Sequence, residues 1–493
     1  MKVKVPYLQY EIIEKIYENK NVLKKDLKIE GFPENSLIIQ NALNSLKHKR
    51  IIDSKNKLSN YGLDLIKKYY KIRHTPPTYI DKNFTINTNH LINSEKKENI
   101  INDWYNYLED FDGSFVNESI KKYKIDKKFY ILDPFLGSGT TLIQSKLLGF
   151  KSLGADINPA MIFIAQQKLN WDHSQKAILE IYTNLIKKFL IHVDQSKKWL
   201  SPLDNMPISE KNQWLSPIKQ KEIAIMFNLI NKISNESIKN LFRLILTRSS
   251  INTSYVAYCP GTTFYPFRPK PDFLDCFKKL TNQILMDLKD ERIIKNKNIV
   301  SKIYFENILS KNYLERFNNK VDLIITSPPY PNDLEYTRQT RLELYLLNCV
   351  KNMSEVKLIK QNMMKGSTKL IFKEDKINNL IENTRSISKA MKEIKTNLKD
   401  KNWGFDYPKM VGMYFSNTLT ALTNIKKKLI KNGKCLYVVG DQRIKGIKIP
   451  VTEITCELAE IVGFKSTEVK IHRNRRSTTH NFDIPEKIAI LTN

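Results

Sequence analysis

Phe129-Tyr130-Ile131-Leu132-Asp133-Pro134-Phe135-Leu136-Gly137-Ser138-Gly139-Thr140-Thr141 begins as an apolar run and ends in a glycine turn. A short apolar run closed by a turn signal is the pattern of a buried strand. Downstream, Thr141 to Leu148 has helical spacing, and Lys151 to Ala155 reads as a second strand ending at Asp156. Pro159 to Leu169 is the next helix. Alternation of strand and helix predicts an α/β domain with a parallel sheet. Such sheets hold ligands beyond the carboxyl ends of their strands, and Asp133, the two glycines and Asp156 all fall there.

Gly137 and Gly139 allow a tight turn and a close approach of backbone to ligand. The third glycine of the dinucleotide fingerprint is missing, as is the Gly-Lys-Ser/Thr of a phosphate loop. A carboxylate at the strand tip suits a cationic ligand better than a pyrophosphate. Asp133 can accept from an ammonium group, and Phe135 can lie along an aliphatic chain. Asp156, 23 positions after Asp133, either holds ribose hydroxyls or caps the following helix. An amino end, an aliphatic middle and a ribose together describe S-adenosylmethionine (SAM).

A second apolar run, Val321 to Ile325, leads into Thr326-Ser327-Pro328-Pro329-Tyr330. This segment offers a hydroxyl, a stiff backbone with carbonyls that no helix claims, and an aromatic face. An exocyclic amine can donate to Ser327 and to the Pro328 carbonyl while Tyr330 stacks on its ring. With a methyl donor held nearby, that arrangement prepares an in-line transfer. A proline-rich loop after a strand is the plain alternative.

Together, Asp133 to Thr141, Asp156 and Thr326 to Tyr330 resemble the cofactor and catalytic motifs of the amino-group DNA methyltransferases. These are SAM-dependent enzymes of the N4-cytosine and N6-adenine type, found in restriction–modification systems. The resemblance covers roughly 129–170 and 300–491. It implies a class I SAM-dependent methyltransferase fold: a Rossmann-like seven-stranded sheet with a reversed C-terminal hairpin. It implies a target base flipped out of duplex DNA, and a cognate restriction endonuclease as a partner. By position, Asp133, Pro134, Phe135, Gly137, Gly139 and Thr140 would line the methionine part of the cofactor. Asp156 would bind the ribose, with Asn158 beside it. Ser327 and Pro328 would hold the amine, with Pro329 stiffening the loop and Tyr330 stacking. Serine at the first catalytic position is commoner in cytosine-N4 enzymes and aspartate in adenine-N6 enzymes, so Ser327 points to cytosine. The family's acidic residue after the third strand falls on Glu306 or Asn307. Its methionine-carboxylate motif is expected between Thr75 and Ile100.

Working outward, the chain has 493 residues and a formal charge of +30. That excess points to a polyanion such as nucleic acid, although Lys and Asn are abundant throughout. The five cysteines are scattered, without a C-x-x-C pair. This argues against zinc ribbons, iron–sulfur clusters and disulfide frameworks and fits a reducing cytoplasm. The N-terminus has no apolar h-region, no run is long and apolar enough to span a membrane, and no metal site is expected.

The spacing divides the chain into five parts. Residues 1–72 read as a winged-helix-like module, with helices near Tyr10–Tyr17, Val22–Leu27, Pro33–Leu46 and Leu63–Tyr70. Its Lys47, His48, Lys49, Arg50, Lys55 and Lys57 would suit duplex DNA or simply face water. Residues 73–128 are a linker and a helical part, with a helix at Lys97–Leu108. Residues 129–170 form the SAM-binding half, 171–299 a helical insert that is the candidate target-recognition region, and 300–493 the catalytic half. In that last part, strands are expected at Lys302–Phe305 and Cys435–Val439. Helices are expected at Val411–Leu429, stopped by Asn432-Gly433, and at Val451–Val462, stopped by Gly463. Ser466–His472 and Lys487–Leu491 should form a closing hairpin. Candidate nucleic-acid contacts are Arg268 and Lys270 in an aromatic and basic segment, Arg338 and Arg341 beyond the catalytic loop, and Arg473, Arg475 and Arg476 in the hairpin. Rival readings are an adenine-N6 enzyme, an RNA base methyltransferase, and a non-catalytic DNA-binding regulator.

Overall fold

The computed structural model describes residues 7–19, 29, 37–74, 100–107, 111–257, 263–264, 267, 270–318, 320–401, 404, 406–476 and 483–493. The expected helix at Val22–Leu27, the linker over Thr75–Thr78, most of the stretch between Thr75 and Ile100, and Arg268 lie outside the described residues, as do the side chains of Arg475 and Arg476. The chain divides into two compact units. One comprises residues 88–175, 282–344 and 354–493; the other comprises 1–87, 176–281 and 345–353.

The first unit is built on a seven-stranded sheet. Its strands are β1 (Tyr130–Asp133), β2 (Ser152–Asp156), β3 (Ser301–Phe305), β4 (Val321–Thr326), β5 (Leu429–Gly440), β6 (Ser466–Arg476) and β7 (Asp483–Thr492). Across the sheet the order is β6-β7-β5-β4-β1-β2-β3. β3, β2, β1, β4 and β5 pair in parallel, while β7 runs antiparallel to both β5 and β6. The direction of winding therefore reverses between β1 and β4, and the sheet closes with a reversed hairpin. This is the strand order of a class I methyltransferase.

Continuous apolar runs form the central strands because both faces are covered. Leu132 and Ile324 point to one face and pack with Val411, Tyr414 and Phe415 of the Asp406–Lys428 helix and Leu458 of the Val451–Val462 helix. Ile131, Leu323 and Ile325 point to the other and pack with Val116 and Ile120 of the Gly113–Tyr123 helix. Each such buried aliphatic side chain contributes roughly 1.5–3 kcal/mol.

Two expectations are corrected. Asn432-Gly433 does not stop a helix: the helix ends at Lys428, and both residues lie inside β5. Asn432 takes a left-handed φ of 64° at a bend, where its N–H donates to the Asn493 carbonyl at 2.8 Å. Pairing with the chain's last residues, a long-range contact, replaces the local stop. The helix expected at Lys97–Leu108 is, where described, a short 3-10 turn at Asn102–Trp104. Trp104 is buried and its indole N–H donates to Asp287 at 2.7 Å.

The second unit is mainly helical. Tyr7–Asn19, Leu37–His48 and Asn60–His74 enclose a small core, with one bridge between Ile52 and Leu58. Further helices are Gln175–His192, Pro217–Asn231 and Glu236–Thr253, the first beginning one residue before the unit. Phe264 and Phe267, the aromatic residues of the segment that holds Arg268 and Lys270, pack on the small core. Phe267 meets the Tyr10 ring edge-on at 5.6 Å, and Tyr10 stacks on Tyr69 at 4.5 Å. Their apolar area is more valuable buried than offered to solvent. Among the described residues no helix is long and apolar enough to cross a membrane, and no cluster of three or more metal-ligating side chains occurs.

Candidate active site

β1 and β4 are adjacent strands that end side by side. At their carboxyl ends the Thr326 hydroxyl donates to Asp133 Oδ1 at 2.7 Å, joining the two sequence motifs at the point where the winding reverses. The same oxygen accepts the Phe135 N–H at 3.1 Å, which bends the chain into the glycine turn. Gly137 and Gly139 both have left-handed φ, 50° and 92°. A side chain on Gly139 would place its Cβ 3.0 Å from that of Ala165, so this glycine serves the close approach of the Pro159–Leu169 helix.

Asp156, at the end of β2, ties two loops. Its Oδ2 accepts the Gly137 N–H at 2.9 Å and its Oδ1 accepts the Asn158 N–H at 2.8 Å. The helix is capped by Asn158, whose side chain accepts from Ala160 N at 3.1 Å and donates to Thr340 Oγ1 at 2.9 Å. Asp156 therefore shapes the glycine turn and leaves capping to its neighbour.

The catalytic-motif loop is held from several sides. Tyr330 N donates to the Tyr336 hydroxyl at 3.3 Å. Gly366 passes so close that a Cβ there would sit 2.5 Å from the Tyr330 carbonyl oxygen. Asp333, at φ 61°, accepts from Ser367 Oγ, Thr368 N, Thr368 Oγ1 and Tyr407 Oη at 2.7–2.9 Å. Burial works against its charge, but these donors hold its carboxyl below the usual range.

One cavity joins these pieces, of about 1100 Å³ including the part open to solvent. It is lined by Asp133, Pro134, Phe135, Gly137, Thr140, Asp156 and Asn158, and also by Ser327, Pro328, Pro329, Tyr330, Glu306 and Asn307. Gly139 is not in the wall. Glu306 accepts from Leu314 N at 2.8 Å and pairs with Arg316 at 2.7 Å. Asn307 accepts from Leu309 N at 2.9 Å and donates to the Asn362 carbonyl at 3.0 Å.

Of the expected nucleic-acid residues, Arg473 reaches this cavity, where its Nε donates to Glu486 at 2.6 Å. Arg341 is corrected: it is 4% exposed and pairs with buried Glu335 at 3.2 Å, so it cannot reach a phosphate. A cation so placed balances an internal carboxylate, which Lys360 also neutralises at 2.5 Å. Arg338 is half-buried, and Lys270, in the helical unit, is partly exposed. Sequence reasoning missed Thr326 as the link to Asp133, Gly366 as the backbone neighbour of Tyr330, and Glu486. Only Thr326 carried a signal, by adjoining Ser327.

A family model described as DNA methylase, of the N6/N4 type, matches residues 115–167. The type II methyltransferase M.BsoBI of Geobacillus stearothermophilus is 26% identical over 456 residues, covering 85% of this chain and 87% of that protein. M.AvaI of Nostoc sp. is 24% identical over 401 residues, covering 75% and 80%. M.MjaII of Methanocaldococcus jannaschii is 35% identical over 82 residues, covering 16% and 15%. With the sheet order and the shared cavity, these matches support a SAM-dependent amino-group (N4/N6) DNA methyltransferase of restriction–modification type.

The cavity fits SAM by the chemistry of its wall. Three carboxylates, Asp133, Asp156 and Glu306, line the side expected to hold the cofactor, which suits an ammonium and a sulfonium. Burial pushes the Asp133 carboxyl up to about 7, opposed by hydrogen bonds from Thr326, Thr141 and Phe135 and reinforced by the Asp156 charge. A cationic ligand favours the ionised form, so a SAM ammonium placed beside Asp133 would lower its pKa and release a proton when the free protein holds one. SAM affinity is therefore expected to rise with pH up to about 7 and level off above it. Calorimetry in two buffers of different ionisation enthalpy should detect the released proton, and Asp133→Asn should abolish the release. Affinity independent of pH between pH 6 and 8 would contradict this account of Asp133.

Proposed function

We propose that the chain methylates the exocyclic N4 of cytosine at specific sites in duplex DNA, with the base flipped into the cavity. The observation that carries this reading is that the Ser-Pro-Pro-Tyr loop and the glycine turn line one cavity. SAM supplies an electrophilic methyl group on a sulfonium sulfur. The chain's own residues prepare the amine: an aromatic NH2 is a poor nucleophile because its lone pair is delocalised into the ring. Hydrogen bonds from its two protons to Ser327 Oγ and the Pro328 carbonyl draw the nitrogen toward tetrahedral geometry and localise that pair. Phe135, Tyr330 and Met364 add apolar surface to the same wall. Serine rather than aspartate as the first acceptor favours cytosine.

The stretch 171–299 is proposed as the target-recognition region, with Lys47, Lys49 and Arg50 of the 1–72 module as further DNA contacts and the chain's +30 charge behind them. Its binding should weaken steeply with salt. A cognate endonuclease and a cytoplasmic site of action follow from the restriction–modification reading. Digestion of DNA methylated by the purified protein, followed by nucleoside mass spectrometry, should yield N4-methylcytosine. N6-methyladenine would overturn the choice of base, and preferential labelling of structured RNA over duplex DNA would overturn the substrate.

A further inference from the structure

Glu486 lies in β7, 156 residues beyond Tyr330, yet the two are bonded. It is 2% exposed, and its backbone is fixed on both sides, opposite Gly440 of β5 and Arg473 of β6. Its Oε1 accepts the Tyr330 hydroxyl at 2.9 Å, and its Oε2 accepts Arg473 Nε at 2.6 Å. Tyr330 Oη in turn accepts from Ser327 Oγ at a long 3.4 Å. All four residues line the same cavity.

The direction of this chain follows from proton counting. A carboxylate only accepts, and each hydroxyl has one proton to give. Tyr330 gives its proton to Glu486, so its lone pairs face Ser327. Ser327 gives its proton to Tyr330, so its own lone pairs face the cavity. From this we infer that Glu486 is a positioning residue, which makes Ser327 a hydrogen-bond acceptor toward the target amine. The inference rests on the reading of Ser327 as the group that holds that amine.

Glu486→Gln tests it. Arg473 must still find an acceptor, so the amide oxygen stays on Arg473 and the NH2 turns to Tyr330. The chain then reverses, and Ser327 presents a proton to the amine instead of a lone pair. E486Q should lower kcat by on the order of 10²-fold, with KM for unmethylated genomic DNA and the calorimetric affinity for SAM unchanged. Y330F ends the chain without reversing it, so its kcat should fall less. In the Y330F background E486Q should add little, because the two act through one path. An ion pair that merely braces the hairpin predicts independent, additive losses in the two variants. Parent-level kcat in E486Q, or additive losses, overturns the inference, provided S327A is inactive in the same assay. An active S327A would instead overturn the reading beneath it. Should the melting midpoint show that E486Q does not fold, Y330F decides alone, since it keeps the Glu486–Arg473 pair; parent-level kcat there overturns the proposal.

Discussion

Ser327→Ala is expected to lower the rate of methyl transfer by roughly 10²–10³-fold, the loss typical of removing one preorganised hydrogen-bonding group at a reacting centre. The fold should not suffer, because the Ser327 side chain is only partly buried and its hydroxyl makes a long 3.4 Å contact with Tyr330. Nor should SAM binding change, since the Thr326–Asp133 bond that joins the two motifs does not involve it. Tritiated-methyl incorporation gives the rate and calorimetry gives the affinity. A variant as active as the parent would remove Ser327 from the mechanism.

Asp156→Ala should act on the other half of the site. It strands the N–H groups of Gly137 and Asn158, which share this carboxylate at 2.9 and 2.8 Å. Each N–H loses a hydrogen bond to a charged acceptor, worth about 1.5–3 kcal/mol. The glycine turn relaxes, and SAM affinity should fall by on the order of 10²-fold, at about 1.4 kcal/mol per decade. Asp156→Asn should recover little, because its amide nitrogen must face one of the two donors. Calorimetric titration with SAM reads the effect, and an affinity close to the parent's would show that the turn holds its shape without Asp156.

How the site could be read from sequence varies residue by residue. Asp133, Asp156 and Ser327 stand at the ends of short apolar runs, and a local pattern of that kind survives folding because the strands are covered on both faces. The Pro159–Leu169 and Val451–Val462 helices likewise match their expected bounds, the second stopped by Gly463 at φ 92°. Arg341 was misread because a cation near a catalytic loop looks the same in sequence whether it faces DNA or Glu335. The aromatic and basic segment is similar: Phe264 meets Tyr7 and Phe267 meets Tyr10, in a helix far earlier in the chain. Asn432-Gly433 has the local pattern of a helix stop, and nothing near it in sequence points to its true partner, Asn493.

Sequence alone determined the kind of sheet, the two motifs and the cofactor they suit. These depend on hydrophobic period, turn chemistry and charge type, all of which are written within a few residues. Only the tertiary structure decided that the motifs share one cavity, that Asp156 braces the glycine turn while Asn158 caps the helix, and that Glu486 and Arg473 stand behind Tyr330. Those facts depend on which strands lie side by side, and strand order is set by burying a whole sheet between two layers of helices rather than by any local stretch of chain.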